Sequence, residues 1–150
     1  MVLHLTESQR DHIQREAIAT YPNECCGIIF GTQRHDRRDV TLLQPASNDF
    51  DESERSHRFS ISPRDLMEAE RLAAQRDELV LGFYHSHPNH PAEPSQFDRA
   101  HAWPFYSYVI ISVSNRQPRE MKCWQFDEQS QQFTTQEISV VHADRKGERT

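Results

Sequence analysis

His85 and His87 stand one residue apart, and both are side chains that bind metal. In an extended segment residues i and i+2 share a face, and Pro88 holds His87 toward extended geometry. The two imidazoles can then meet on one ion, with Zn–N bonds of about 2.0–2.1 Å. The chain has nine histidines, so such a pair arises easily by chance, and two surface histidines at a strand end is the plainer reading. Asp98 changes the weight. It lies past Pro88, Pro91 and Pro94, a stiff loop that can fold back and set a carboxylate beside the imidazoles. Three protein ligands with one open position is the pattern of catalytic zinc, whereas structural zinc takes four. Ser95-x-x-Asp98 also reads as a capping box, and on spacing alone that role is the better one for Asp98. His90 and His101 are alternative third ligands, with loop and surface positions as the plainer reading. Taken together, H-x-H-P followed by Ser and Asp at these offsets arises on the order of once in several thousand chains of this composition.

These residues need elements to position them. Thr6 with Gln9 fits a capping box, so a helix starts there, with Ile13, Ala17 and Ile18 as its apolar stripe. Cys25–Phe30 and Val40–Leu43 read as strands. Ser62-Pro63-Arg64-Asp65 is a helix start with Ser as N-cap and Pro at the first position. Leu79–Tyr84 reads as a strand ending at His85, and Ser95–Ala102 as a short helix stopped before Pro104. Tyr106–Val113, Met121–Phe126 and Phe133–Val141 are further strands. Asn48 to His57 reads as a mobile polar loop. The expectation is one α/β domain over 1–143, a sheet covered by helices, with a polar tail over 144–150. The aromatic cluster Trp103, Phe105, Tyr106 and Tyr108 is expected to pack in the core.

The chain has 150 residues, 17 Lys and Arg against 23 Asp and Glu, and net charge -6. That disfavours nucleic acid and anionic membrane as partners, since both need a positive footprint. Mean hydropathy is -0.85, and no apolar run reaches the length of a membrane span. The N-terminus shows no signal-peptide core. Three cysteines make no disulfide framework, so a cytoplasmic location is expected.

His85-Ser86-His87-Pro88 with Ser95 and Asp98 resembles the JAMM motif, H-S/T-H-P-x6-S-x2-D, of the MPN+ (Mov34/MPN/PAD-1) zinc metalloproteases. Tyr21-Pro22-Asn23-Glu24-Cys25-Cys26-Gly27, Arg58-Phe59-Ser60-Ile61-Ser62-Pro63 and Trp103-Pro104 resemble the short prokaryotic members. The resemblance implies a curled mixed β-sheet flanked by helices, with the layering of the cytidine-deaminase fold. It implies Zn2+ on His85, His87 and Asp98, Glu24 as general base and acid, and Ser95 as the oxyanion donor. Spacing alone does not select Glu24 among thirteen glutamates, and a solvated acid at a strand edge is its plainer reading. Ser86 points away from the ion by parity. Cys26 shares the parity of Glu24, with a small buried hydrophobe as the favoured reading. Asn48 resembles a position near the substrate backbone.

The implied activity is hydrolysis of a peptide or isopeptide bond after the C-terminal Gly-Gly of a ubiquitin-like or sulfur-carrier protein. Its extended tail would lie along a sheet edge. The alternative is a non-catalytic MPN scaffold that only holds partners. A metal-dependent protein acting on nucleic acid is a weaker rival, given the charge. A nucleobase deaminase is disfavoured because its H-x-E…P-C-x-x-C pattern is missing.

Overall fold

A computed structural model describes residues 1–46 and 61–142. Asn48, the Asn48–His57 stretch, Arg58 to Ser60 and the tail 144–150 lie outside the described residues. The elements are β1 (Val2–Thr6), α1 (Glu7–Thr20), β2 (Cys26–Arg34), β3 (Arg37–Ala46), α2 (Pro63–Gln75), β4 (Leu79–Pro88), α3 (Gln96–Ala100), β5 (Ser107–Ser114), β6 (Gln117–Asp127) and β7 (Gln132–Val141).

The seven strands close into a barrel in the order β1-β3-β2-β4-β5-β6-β7. The sheet is mixed: β4 runs parallel to β5, and β1 parallel to both β3 and β7, with antiparallel pairs elsewhere. The curled mixed sheet with helices is therefore present, and it curls to closure. The strand that closes it, β1, is missing from the sequence reading. It is five residues long, and only Leu3 and Leu5 show its inward face, both fully buried. Its last residue, Thr6, is also the N-cap of α1, where its side chain accepts from the Gln9 N–H at 3.0 Å. Closure leaves little edge for a substrate tail. β1 pairs β3 only over Arg37–Asp39, so among the described residues an open edge persists beyond Asp39 on β3.

β4 is buried from Val80 to Pro88, as a strand covered on both faces must be. Leu81 and Tyr84 join a core with Ile13 and Ala17 of α1. Val80 and Phe83 join a second core with Ala69 and Ala73 of α2. Gly82 sits where β5 comes closest, and a Cβ there would collide with the Ser107 backbone. β2, β3 and β6 extend past their apolar cores. Gln33 and Arg34, for example, prolong β2 because backbone pairing with Arg38 and Arg37 on β3 needs no apolar side chain. Among the described residues no helix is long and apolar enough to cross a membrane.

Candidate metal centre and active site

His85 and His87 leave β4 on the face that Phe83 shares with α2, so the strand parity read from the sequence holds. Ser86 points the other way. Its Oγ accepts the Cys25 N–H at 2.8 Å, and its own N–H donates to the Cys25 carbonyl at 3.1 Å. That pair of bonds carries the β2–β4 ladder one step past Cys26↔His85. Continuing the register sets Glu24 across from His87 on the same face. Glu24 is 5% exposed.

The loop after β4 is clamped. Asn89 N–H donates to the Val113 carbonyl at 2.6 Å, and Ser112 Oγ to the His90 carbonyl at 2.6 Å. Trp124 Nε1 donates to the Ala92 carbonyl at 3.0 Å, and Tyr21 Oη to Asn89 Oδ1 at 2.8 Å. Held this way, the loop delivers α3 to the histidines. Ser95 caps α3: its Oγ accepts the Asp98 N–H at 3.0 Å, and its N–H donates to Asp98 Oδ2 at 2.8 Å. The same Asp98 Oδ2 lies 3.4 Å from His85 Nε2 and 3.3 Å from His87 Nε2. Capping and clustering are thus combined in one oxygen.

The His85 and His87 Nε2 atoms are 3.2 Å apart, which completes a triangle with sides of 3.2, 3.3 and 3.4 Å. Neutral hydrogen bonds do not require such a triangle, but a metal does. Tetrahedral ligands with bonds of about 2.0–2.1 Å stand about 3.3–3.4 Å from one another. His87 Nδ1 lies 2.8 Å from the Pro91 carbonyl. It donates there, which fixes the tautomer and leaves the Nε2 lone pair for an ion. The three residues fit zinc, and they form the one group of three potential ligands found among the described residues. His90 and His101 are not part of it. His90 offers its carbonyl to Ser112, and His101 Nδ1 donates to the Phe97 carbonyl at 2.9 Å. Cys26 is fully buried, with Sγ directed at the Ala46 carbonyl 3.6 Å away. All three cysteines are buried.

Burial opposes charge throughout the site. It pushes the Glu24 carboxyl up to about 8; the positive His87 opposes this and the Asp98 carboxylate adds to it. Burial would also raise Asp98, but His85, His87 and the Ser95 N–H hold it well below the usual carboxylate range. Burial pushes His85 down. It opposes charge on His87 as well, yet hydrogen bonds to Asp98 and to the Pro91 carbonyl leave that imidazole above its ordinary value.

Beside the triangle lies a cavity of about 230 Å³ whose walls include His85, Asp98, Leu66, Phe83, Phe97 and Trp103. It corrects the aromatic expectation. Tyr108 is buried, but Trp103 is 65% and Phe105 45% exposed. They follow α3 on a surface loop, so apolar character alone misplaced them. The clamping roles of Tyr21, Ser112 and Trp124 are also missing from the sequence reading, which names Tyr21 only within a stretch of family resemblance. Their partners lie 22 to 68 positions away, and only backbone carbonyls or a loop amide receive their bonds.

Residues 6–127 match the family described as prokaryotic homologs of the JAB domain. A desampylase of Haloferax volcanii is 33% identical over 119 residues, covering 76% of this chain and 83% of that protein. A CysO-cysteine peptidase of Mycobacterium tuberculosis is 27% identical over 143 residues, covering 94% of this chain and 84% of that protein. The solution structure of a Desulfitobacterium hafniense protein superimposes with a TM-score of 0.79 at 30% identity, over 93% of this chain and 92% of that one.

Proposed function

The chain belongs to the prokaryotic homologs of the JAB domain, and from that membership we propose that it is a zinc-dependent hydrolase. Its substrate is a peptide or isopeptide bond that follows the C-terminal Gly-Gly of a ubiquitin-like or sulfur-carrier protein. The observation that carries the reading is the triangle of His85 Nε2, His87 Nε2 and Asp98 Oδ2, with sides matched to a tetrahedral ion. Relatives named for removing a ubiquitin-like modifier and for cleaving a carrier–cysteine adduct support the substrate class.

His85, His87 and Asp98 would hold the zinc, which when bound supplies a Lewis acid for the scissile carbonyl and acidifies water. Glu24 does the proton work. Burial makes its carboxylate basic enough to take a proton near neutral pH and to return it to the leaving amine. Ser95 Oγ accepts from the Asp98 N–H, so its own O–H is left to donate to the developing oxyanion. Ser86 holds the backbone beside Glu24 in register with the histidines.

The first test is zinc stoichiometry by elemental analysis after dialysis, on the wild type and on His87→Ala. One zinc per wild-type chain and none in the variant is expected. Carriers extended past Gly-Gly are then cleaved by the wild type, while Glu24→Gln keeps zinc and loses cleavage. A wild type that takes up no zinc after reconstitution sinks the reading in favour of a scaffold.

A further inference from the structure

The cavity beside the triangle has no role in the chemistry above. Its volume of about 230 Å³ would hold several waters at about 30 Å³ each. Aromatic and aliphatic side chains dominate its described walls, and its polar groups, His85, Asp98 and His101, are already occupied with one another or with a carbonyl. His101 stacks on Phe97 with ring centroids 4.2 Å apart. The Trp103 backbone is held from behind: Tyr108 Oη accepts its main-chain N–H at 2.9 Å and donates to its carbonyl at 3.4 Å. A preformed apolar hollow whose waters find few partners favours an apolar occupant.

We propose that this cavity is a subsite for one large apolar side chain on the amine side of the scissile bond, next to the bond that is cut. The inference rests on the proposed hydrolase reading and deepens it. Two of the cavity walls, His85 and Asp98, belong to the candidate metal centre, so the occupant is a residue adjacent to the reacting carbonyl. On the acyl side a Gly-Gly tail has no side chain to offer. With the two acyl-side residues nearest the bond ruled out, the geometry points to the first residue of the leaving group as the occupant. An aromatic residue or a long aliphatic one fills the hollow, whereas a small or acidic one leaves it wet or sets a charge beside Asp98.

The test uses the zinc-loaded full chain and three quenched-fluorescence peptides with identical flanks: Gly-Gly-Phe, Gly-Gly-Ala and Gly-Phe-Ala. The expected kcat/KM for cleavage of Gly-Gly-Phe before Phe exceeds that of Gly-Gly-Ala before Ala by about tenfold or more. Trp103→Ala opens one wall at an exposed position, with folding checked by circular dichroism, and compresses that ratio to about twofold or threefold. Equal rates on Phe and Ala overturn the proposal, as does an unchanged ratio in Trp103→Ala. Preferred cleavage of Gly-Phe-Ala after Phe also overturns it, because the cavity then reads the acyl side. If no peptide is cleaved, the extended carriers decide the hydrolase reading, and ligand-observed NMR with phenylalanine amide and alanine amide decides the cavity. Binding of the former alone, weakened in Trp103→Ala, upholds a subsite for an apolar side chain; equal or absent binding overturns it.

Discussion

Asp98 serves three neighbours, the Ser95 N–H, His85 and His87, with one carboxylate oxygen, and conservative substitutions can separate its two duties. Asp98→Asn keeps an oxygen to accept the Ser95 N–H and loses the charge that pairs with a cation. It is expected to leave the circular dichroism spectrum unchanged and to drop zinc below one tenth of an equivalent after dialysis, by about the 10- to 100-fold loss typical of a damaged site or more. Stoichiometric zinc in that variant would remove Asp98 from the ligand set. Ser95→Ala separates the other half. Loss of the cap costs about 1 kcal/mol of stability, a modest shift in a urea melt. Loss of an oxyanion donor lowers kcat by about 10²–10³. A rate within a factor of about three of wild type would leave Ser95 as a cap and nothing more.

Ser86 shows how an element aims residues it does not touch. Its Oγ satisfies the buried Cys25 N–H, so Ser86→Ala leaves that donor unpaired. The expected loss is about 1–3 kcal/mol in chemical denaturation. Because the next residue toward the N-terminus is Glu24, kcat falls as well while zinc content stays at one. Unchanged stability would mean that water replaces the hydroxyl and that Ser86 aligns nothing. This arrangement also marks the limit of what could be read from the chain. His85, His87 and Asp98 were legible because strand parity and a proline loop are local signals. Glu24 was legible only by resemblance, since its place depends on a partner strand sixty residues away whose register no local pattern states. β1 was illegible for a related reason. Two inward leucines in five residues look like the lead-in to a helix until β7 and β3 arrive to pair with them. Trp103 was misplaced because an aromatic residue that lines a cavity has the same composition signal as one that fills a core.

For the whole molecule, one end of the barrel gathers buried ionisable groups, and this makes stability depend on pH and on metal together. In the metal-free protein burial raises Glu24 from its ordinary 4.5 to about 8. The folded state then binds more protons than the unfolded state between those values, so stability falls as pH rises through that window and levels off above it. The slope approaches about 1.4 kcal/mol per pH unit where one proton separates the two states. Asp98 acts in the opposite sense. Its folded value is depressed, so its contribution is present above the usual carboxylate range and is lost as pH falls below it. His85, pushed down, adds stability as pH rises toward 6.5, and His87, pushed up, loses stability as pH rises above it, so the part due to Glu24 is read as the difference in slope between wild type and Glu24→Gln. A cation bound only by the folded state adds RT ln(1 + [L]/Kd), and deprotonated ligands favour it as pH rises. The gap between zinc-loaded and chelated protein in urea unfolding is therefore expected to widen from pH 5 to pH 8. Glu24→Gln, which has no proton to lose, should flatten the chelated curve and unfold later than wild type at pH 8 when both are metal-free. Chelated wild type and Glu24→Gln with the same slope across that range would show that Glu24 is not the buried carboxyl facing the metal centre.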